Sequence, residues 1–183
     1  ADEQAKVTMS ITCDLSRKLL DLLHADELDI VIALLAREKN PYLVRSWDER
    51  PIWAVAKDFP VNKSLAVPLV THPEGCEYRR RMTAALRAEG RDWRAAYTTP
   101  DIGGLQRAVS AGMGVTALTR KTVLPDMRIL SSREGFPAME PIHIGLFYKH
   151  QRLSGAGLML VDSLIARMDE AAEPAPPKAS SAR

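Results

Sequence analysis

The stretch from Arg94 to Arg120, RAAYTTPDIGGLQRAVSAGMGVTALTR, constrains the fold more than any other part of the chain. It reads as strand, tight turn, helix, turn and strand. Thr99 can offer its hydroxyl as N-cap, Pro100 supplies the fixed φ wanted at the first helical position, and Asp101 opposes the helix dipole. Ile102, Leu105, Ala108 and Val109 form the expected buried stripe, and Gly112 the left-handed stop. Met113-Gly114 turns the chain into the apolar run Val115 to Leu118. A strand–helix–strand of this length is a right-handed crossover between parallel strands. Its helix should open at the carboxyl edge of the sheet, where α/β proteins bind ligands.

The flanking segments extend the pattern. Val7, Met9 and Ile11 alternate with Thr8, Ser10 and Thr12, predicting a half-buried strand. A helix follows from about residue 15 to 25, capped by Asp14 or Ser16, with Leu15, Leu19, Leu20, Leu22 and Leu23 as its apolar side. Glu27 to Leu34 reads as a continuous buried strand of the parallel kind. Leu43 to Trp47 and Ile52 to Ala56 are extended, and Ala66 to Val70 is a short strand ending at His72-Pro73-Glu74-Gly75. A helix from about Cys76 to Glu89 carries Tyr78, Met82, Ala85 and Leu86 on one face, and Gly90 stops it. Trp93 to Tyr97 enters the opening stretch. Met127 to Leu130 is extended, Ser131 to Pro141 is a loop, Ile142 to Tyr148 is a strand, and Ser154 caps a last helix to about Met168. Ala1 to Lys6 reads as the end of a helix and residues 36 to 41 as a polar loop.

These elements predict an α/β fold of two Rossmann-like lobes joined by two crossing strands. The first lobe takes residues 1–46 and 140–170, the second 47–139, and residues 171–183 form a disordered tail without apolar periodicity. The cleft between such lobes is the expected place for a small ligand.

Composition excludes several alternatives. With 183 residues, 46% hydrophobic and 26% charged, the chain is an ordinary globular one. A net charge of +2 is too mild to argue for nucleic-acid binding by itself. No apolar run reaches membrane length, and Cys13 and Cys76 fit no metal spacing, so no membrane, metal or cofactor is expected and the cytoplasm is the default compartment. Neither G-x-S-x-G, H-E-x-x-H, C-x-x-C nor a P-loop occurs, and no histidine has an evident nucleophilic partner, which argues against an enzyme. Arg79, Arg80, Arg81, Arg87, Arg91 and Arg94 make a basic cluster offset by Glu77, Glu89 and Asp92, read as a solvated helix face or a dimer contact rather than a DNA surface.

Several motifs in series resemble the effector-binding domain of LysR-type transcriptional regulators. They are Cys13 to Leu20 (CDLSRKLL), Glu27 to Ile32 (ELDIVI), Pro68-Leu69-Val70, Pro73 to Cys76 with Tyr78-Arg79, the GR-x-W-R-x-x-Y pattern of Gly90 to Tyr97, Ala108 to Val115 (AVSAGMGV), and Gly135-Phe136-Pro137. The resemblance covers residues 7 to 168. It implies a periplasmic-binding-protein-like (type 2) fold whose hinged lobes hold a small-molecule effector. Its partners would be further copies, as a homodimer or tetramer, and DNA through an N-terminal winged helix-turn-helix absent from this chain. The family's first strand and most of its first helix also have no counterpart here.

Matched to the family, Ser16 is the hydroxyl that contacts the effector from the first lobe, although a plain cap explains it too. Thr98, Thr99 and Pro100 hold the corresponding position in the second lobe, where Thr99 could simply cap its own helix. Thr71, His72, Gly75 and Cys76 line the cleft by resemblance, although a His in the position of His72, before Pro73, is more often a surface turn residue than a ligand contact. Cys76 stands where peroxide-sensing members carry a redox thiol, but residues 77–90 lack a second cysteine, so a non-redox role is expected. Leu34 and Leu35 could form an apolar wall or simply pack. The leading expectation is therefore an effector-sensing regulatory domain binding a small, carboxylate-bearing inducer. The alternative is a free-standing solute-binding protein of the same fold.

Overall fold

The computed structural model describes residues 7–35 and 39–172. The expected helix end at 1–6, positions 36–38 of the polar loop and residues 173–183 of the tail lie outside the described residues, as does the side chain of Leu35. The elements run α1 (Ser16–His24), β1 (Ile30–Leu35), β2 (Leu43–Glu49), β3 (Ile52–Ala56), β4 (Val67–Thr71), α2 (Glu77–Ala88), β5 (Trp93–Thr98), α3 (Ile102–Ser110), β6 (Thr116–Leu118), β7 (Met127–Ile129), β8 (Ile142–Tyr148) and α4 (Gly155–Ala171).

One sheet has the order β1-β8-β2, with β8 antiparallel to both neighbours. Side-chain alternation sends Val31, Ala33 and Phe147 to one face, where Leu23, Leu19 and Leu20 of α1 cover them. Trp47 and Leu146 point to the other face, under Val161, Leu164 and Ile165 of α4. Ser154 caps α4 by accepting the Gly157 N–H at 3.1 Å, as its position predicts.

The second sheet is assembled around β4. It lies parallel to β5, and a bridge from Leu69 to Val115 sets the strand leading into β6 parallel on its other side. Antiparallel β3 then pairs with β6 and β7, giving the order β5-β4-β6-β3-β7. Trp53, Val55, Leu69 and Ala117 face Met82 and Leu86 of α2. The alternate residues Ala54, Val70 and Leu118 face Leu105, Ala108 and Val109 of α3. The run β4-α2-β5-α3-β6 is thus the expected βαβαβ unit, with a helix layer on each face.

Two expectations for the first lobe fail. Residues 7 to 15 form no strand, and Val7, Met9 and Ile11 are exposed. Alternation prepares a segment for a sheet, but a strand also needs a hydrogen-bonding neighbour and a cover for its apolar face, and no described strand supplies them. The run at 27–34 is not a doubly buried parallel strand either. Its strand, β1, pairs only with antiparallel β8 among the described residues, and Ile32 is 40% exposed. An apolar run shows that both faces of a strand are greasy, not that both are covered.

The two sheets are linked where β2 ends. Glu49 is still paired with Ile142, then Arg50-Pro51 leads directly into β3, and Glu140-Pro141 brings the chain back.

Candidate functional site

The lobe-II side of the site is built from the carboxyl ends of β4 and β5. Thr71 and Thr98 are register partners, and the Thr99 N–H donates to the Thr71 carbonyl at 3.0 Å. Thr71 is fully buried, and its hydroxyl has no protein partner among the described residues. A buried hydroxyl of this kind is ordinarily satisfied by an ordered water or a ligand atom. Thr98 is exposed and Thr99 is buried.

His72 departs from the surface-turn reading. It is half-buried, and its Nδ1 lies 3.0 Å from the Thr99 carbonyl oxygen, which can only accept. Nδ1 therefore carries the proton. Burial lowers the imidazole pKa, with the Thr99 carbonyl and Asp101 opposing, so the ring is neutral and its Nε2 is an acceptor. The loop ends at Gly75, whose φ of +89° is the left-handed conformation that glycine adopts without strain.

Cys76 occupies the N-cap of α2. Burial pushes its thiol up, against a weaker pull from the backbone amides of Tyr78 and Arg79, so it is a protonated thiol at neutral pH.

The helix ends are arranged differently from expectation. Asp101, not Thr99, caps α3: its Oδ2 accepts the Gly104 N–H at 2.5 Å, while the Thr99 hydroxyl accepts the Asp101 N–H at 3.2 Å. The longer side chain of Asp101 reaches the first turn, and Ile102 becomes an exposed residue at 47%. On the other lobe, neither Asp14 nor Ser16 caps α1. Leu15 takes the N-cap position without a side-chain bond, and Asp14 accepts the Leu15 N–H and pairs with Lys18. Ser16 instead reaches across to β1, where the Leu34 N–H donates to its Oγ at 2.9 Å. The hydroxyl proton remains for another acceptor.

The start of α1 approaches the loop after β4. Leu15, at the start of α1, puts its Cδ1 3.8 Å from where a Cβ on Gly75 would stand. The start of α1, next to Ser16, thus comes up to the loop after β4 at Gly75. Near the lobe junction the buried Tyr78 hydroxyl donates to Glu49 at the end of β2; burial first, then that carboxylate, raises its pKa far above the ordinary phenol value. Leu15, Glu49 and Tyr78 escaped the sequence reading as site residues. Tyr78 stood out only as an apolar-face residue, and nothing local marks Glu49.

Three arginines of the basic cluster are paired with carboxylates. Glu77 pairs with Arg80 at 2.7 Å and Arg81 at 3.6 Å, and Arg79 pairs with Glu74 and lies over Trp93. Among the described residues there is no metal-binding cluster of His, Cys, Asp and Glu, and no helix long and apolar enough to cross a membrane.

The family model described as the LysR substrate binding domain matches residues 2–169. The chain belongs to that family. This LysR substrate binding domain is 24% identical over 134 residues to the HTH-type transcriptional regulator PecT of Dickeya dadantii (strain 3937), covering 73% of this chain and 42% of PecT. It therefore spans less than half the length of that relative. Among solved structures it resembles the apo-form regulatory domain of HypT from Salmonella typhimurium, with a TM-score of 0.73, 12% identity, and coverage of 91% of this chain and 85% of that one. It also resembles the CcmR regulatory domain of Synechocystis PCC6803 in complex with 2-PG, with a TM-score of 0.58, 15% identity, and coverage of 84% and 79%. The LysR-type domain is that of a transcriptional regulator family rather than an enzyme family, and its periplasmic-binding-protein-like type 2 architecture is the one expected.

Proposed function

We propose that this LysR substrate binding domain senses a small, carboxylate-bearing effector held between its lobes, 1–46 with 140–170 on one side and 47–139 on the other. The observation that supports the reading is the approach of Leu15 to Gly75, which brings the start of α1, where Ser16 sits, to the loop that follows β4. Ser16 and Thr98 would bind the carboxylate through their hydroxyls. Thr71, whose buried hydroxyl lacks a partner, would take a further polar atom, and His72 Nε2 would accept from a hydroxyl or amine of the effector. Leu34, Cys76 and Pro100 would frame it, with Thr99 holding the edge in place. The amide end of α1, which has no side-chain cap, favours an anion, whereas α2 has Glu77 in its first turn and α3 its own carboxylate in Asp101. The regulatory domain of CcmR, solved in complex with 2-PG, is a precedent for a ligand on a domain of this fold.

Effector binding would shift the balance between two lobe arrangements by as much as its affinities for them differ. In a cytoplasmic protein built like PecT, that shift would be relayed through a dimer or tetramer to a DNA-binding helix-turn-helix. A thermal-shift screen of small mono- and dicarboxylates against wild type, Ser16→Ala and Thr98→Ala tests the site. Each lost hydrogen bond should weaken a hit by about fivefold to tenfold, roughly 1 kcal/mol or slightly more. The readout is the ligand-induced shift, because Ser16→Ala also strips the Leu34 N–H of its acceptor. A hit that raises the melting temperature equally in all three proteins rules the pocket out.

A further inference from the structure

We propose that lobe II carries a second small-molecule site, distinct from the inter-lobe crevice, which takes an amphipathic carboxylate with an acyl or aryl body. A cavity of about 440 Å³ opens at the amino-terminal ends of the parallel strands, walled by Phe59, Val61, Leu65, Val67, Val115 and Phe136. It lies beside Val67, at the start of β4, whereas the crevice lies at Thr71, its end. Four residue steps along a strand separate the two by ~13 Å. The volume falls within the span of ordinary ligand pockets, and an apolar wall with a few convergent polar groups is their usual lining.

The polar groups at this cavity have one sign. Arg91 and Arg94 border it, and no acidic side chain does. Arg94 is exposed and makes no hydrogen bond or ion pair among the described residues. Arg91 is held in place: its Nη1 donates to the Gly135 carbonyl at 2.7 Å, and its guanidinium lies 4.7 Å from the centre of the Phe136 ring. Its Nη2 also donates to the Asn62 carbonyl on the rim of the cavity at 3.5 Å. An anion entering the cavity mouth would pair with Arg94, whose charge is otherwise unanswered, beside the fixed positive charge of Arg91. Leu65, 65% exposed on the flanking loop, gains cover from the apolar body of the same ligand. Surface arginines alone would not select such a ligand; the greasy pocket beneath them does.

The experiment is a titration of the isotopically labelled domain with octanoate, below its micelle concentration, followed by amide shifts, with 1-octanol as the uncharged control. Saturable shifts are expected at Ala66, Val67, Arg91, Arg94 and Phe136, with octanol at least tenfold weaker. Arg94→Ala should weaken octanoate by about tenfold, as loss of a charge-assisted bond does, and Ala66→Trp, which fills the cavity from an exposed position, should abolish binding. Shifts confined to Thr71–Cys76 and Thr98–Thr99, equal binding of octanol, an unaffected Arg94→Ala protein, or no saturable shift at all would each overturn the proposal.

Discussion

Gly114 is the residue on which the second sheet closes. A Cβ there would be driven into the carbonyl oxygen of Pro68, the same oxygen that accepts the Val115 N–H at 2.8 Å. Only a residue with no side chain lets the turn after α3 come this near to β4. Gly114→Ala should therefore cost about 2–3 kcal/mol, the upper range for overpacking a filled interior, read as a lowered urea midpoint at unchanged m-value. The turn Gly112-Met113-Gly114 was legible as a stop and a turn. The backbone approach behind its second glycine was not, because Pro68 lies far away in sequence. Ser16 teaches the same lesson: its position suggests a cap, but its hydroxyl bonds to β1, a strand that its own helix had to meet first.

At the scale of elements, α4 is locked to β2 by one carboxylate. Asp169 accepts from Trp47 Nε1 at 2.7 Å and from Arg45 Nη2 at 2.8 Å, and these bonds, led by that of Trp47, hold its pKa below the ordinary aspartate value. A folded-state pKa lowered in this way favours the fold above the unfolded value of 3.8, and the benefit disappears as pH falls through the folded value. Asp169→Asn should therefore lower the urea midpoint at pH 6, and the gap from wild type should close below pH 3.8. A gap that persists unchanged to pH 2 would mean the carboxylate charge is not what docks α4. The helix itself was readable from its periodicity and its Ser154 cap; its latch, more than a hundred residues from Arg45 and Trp47, was not.

Across the whole molecule, the start of α1 meets the loop after β4 through Leu15 against Gly75, and Tyr78 of α2 ties that region to Glu49, at the end of β2 where the chain passes from one sheet to the other. The raised phenol pKa ties the junction to pH: the folded state keeps Tyr78 protonated while the unfolded chain ionises near 10, so stability falls as pH rises past that value. In an alkaline titration followed by phenolate absorbance, wild type should show a late step coincident with unfolding. Tyr78→Phe should lack it. A Tyr78→Phe protein that retains the late step would place the buried phenol elsewhere.

Periodicity, caps and turn glycines determined most of the elements, because these are local: a stripe, a hydroxyl and a left-handed residue act within one or two turns of chain. The parallel βαβαβ unit followed from spacing, and the resemblance of ordered motifs led to the two-lobed LysR fold. What only the tertiary structure decided is which apolar surface is covered and which polar group answers which. Ile32 and Ile102 are as greasy as Val31 and Leu105, yet they stay exposed, and Val7 to Ile11 forms no strand. Burial and pairing are properties of two surfaces meeting, and a sequence displays each surface without its partner.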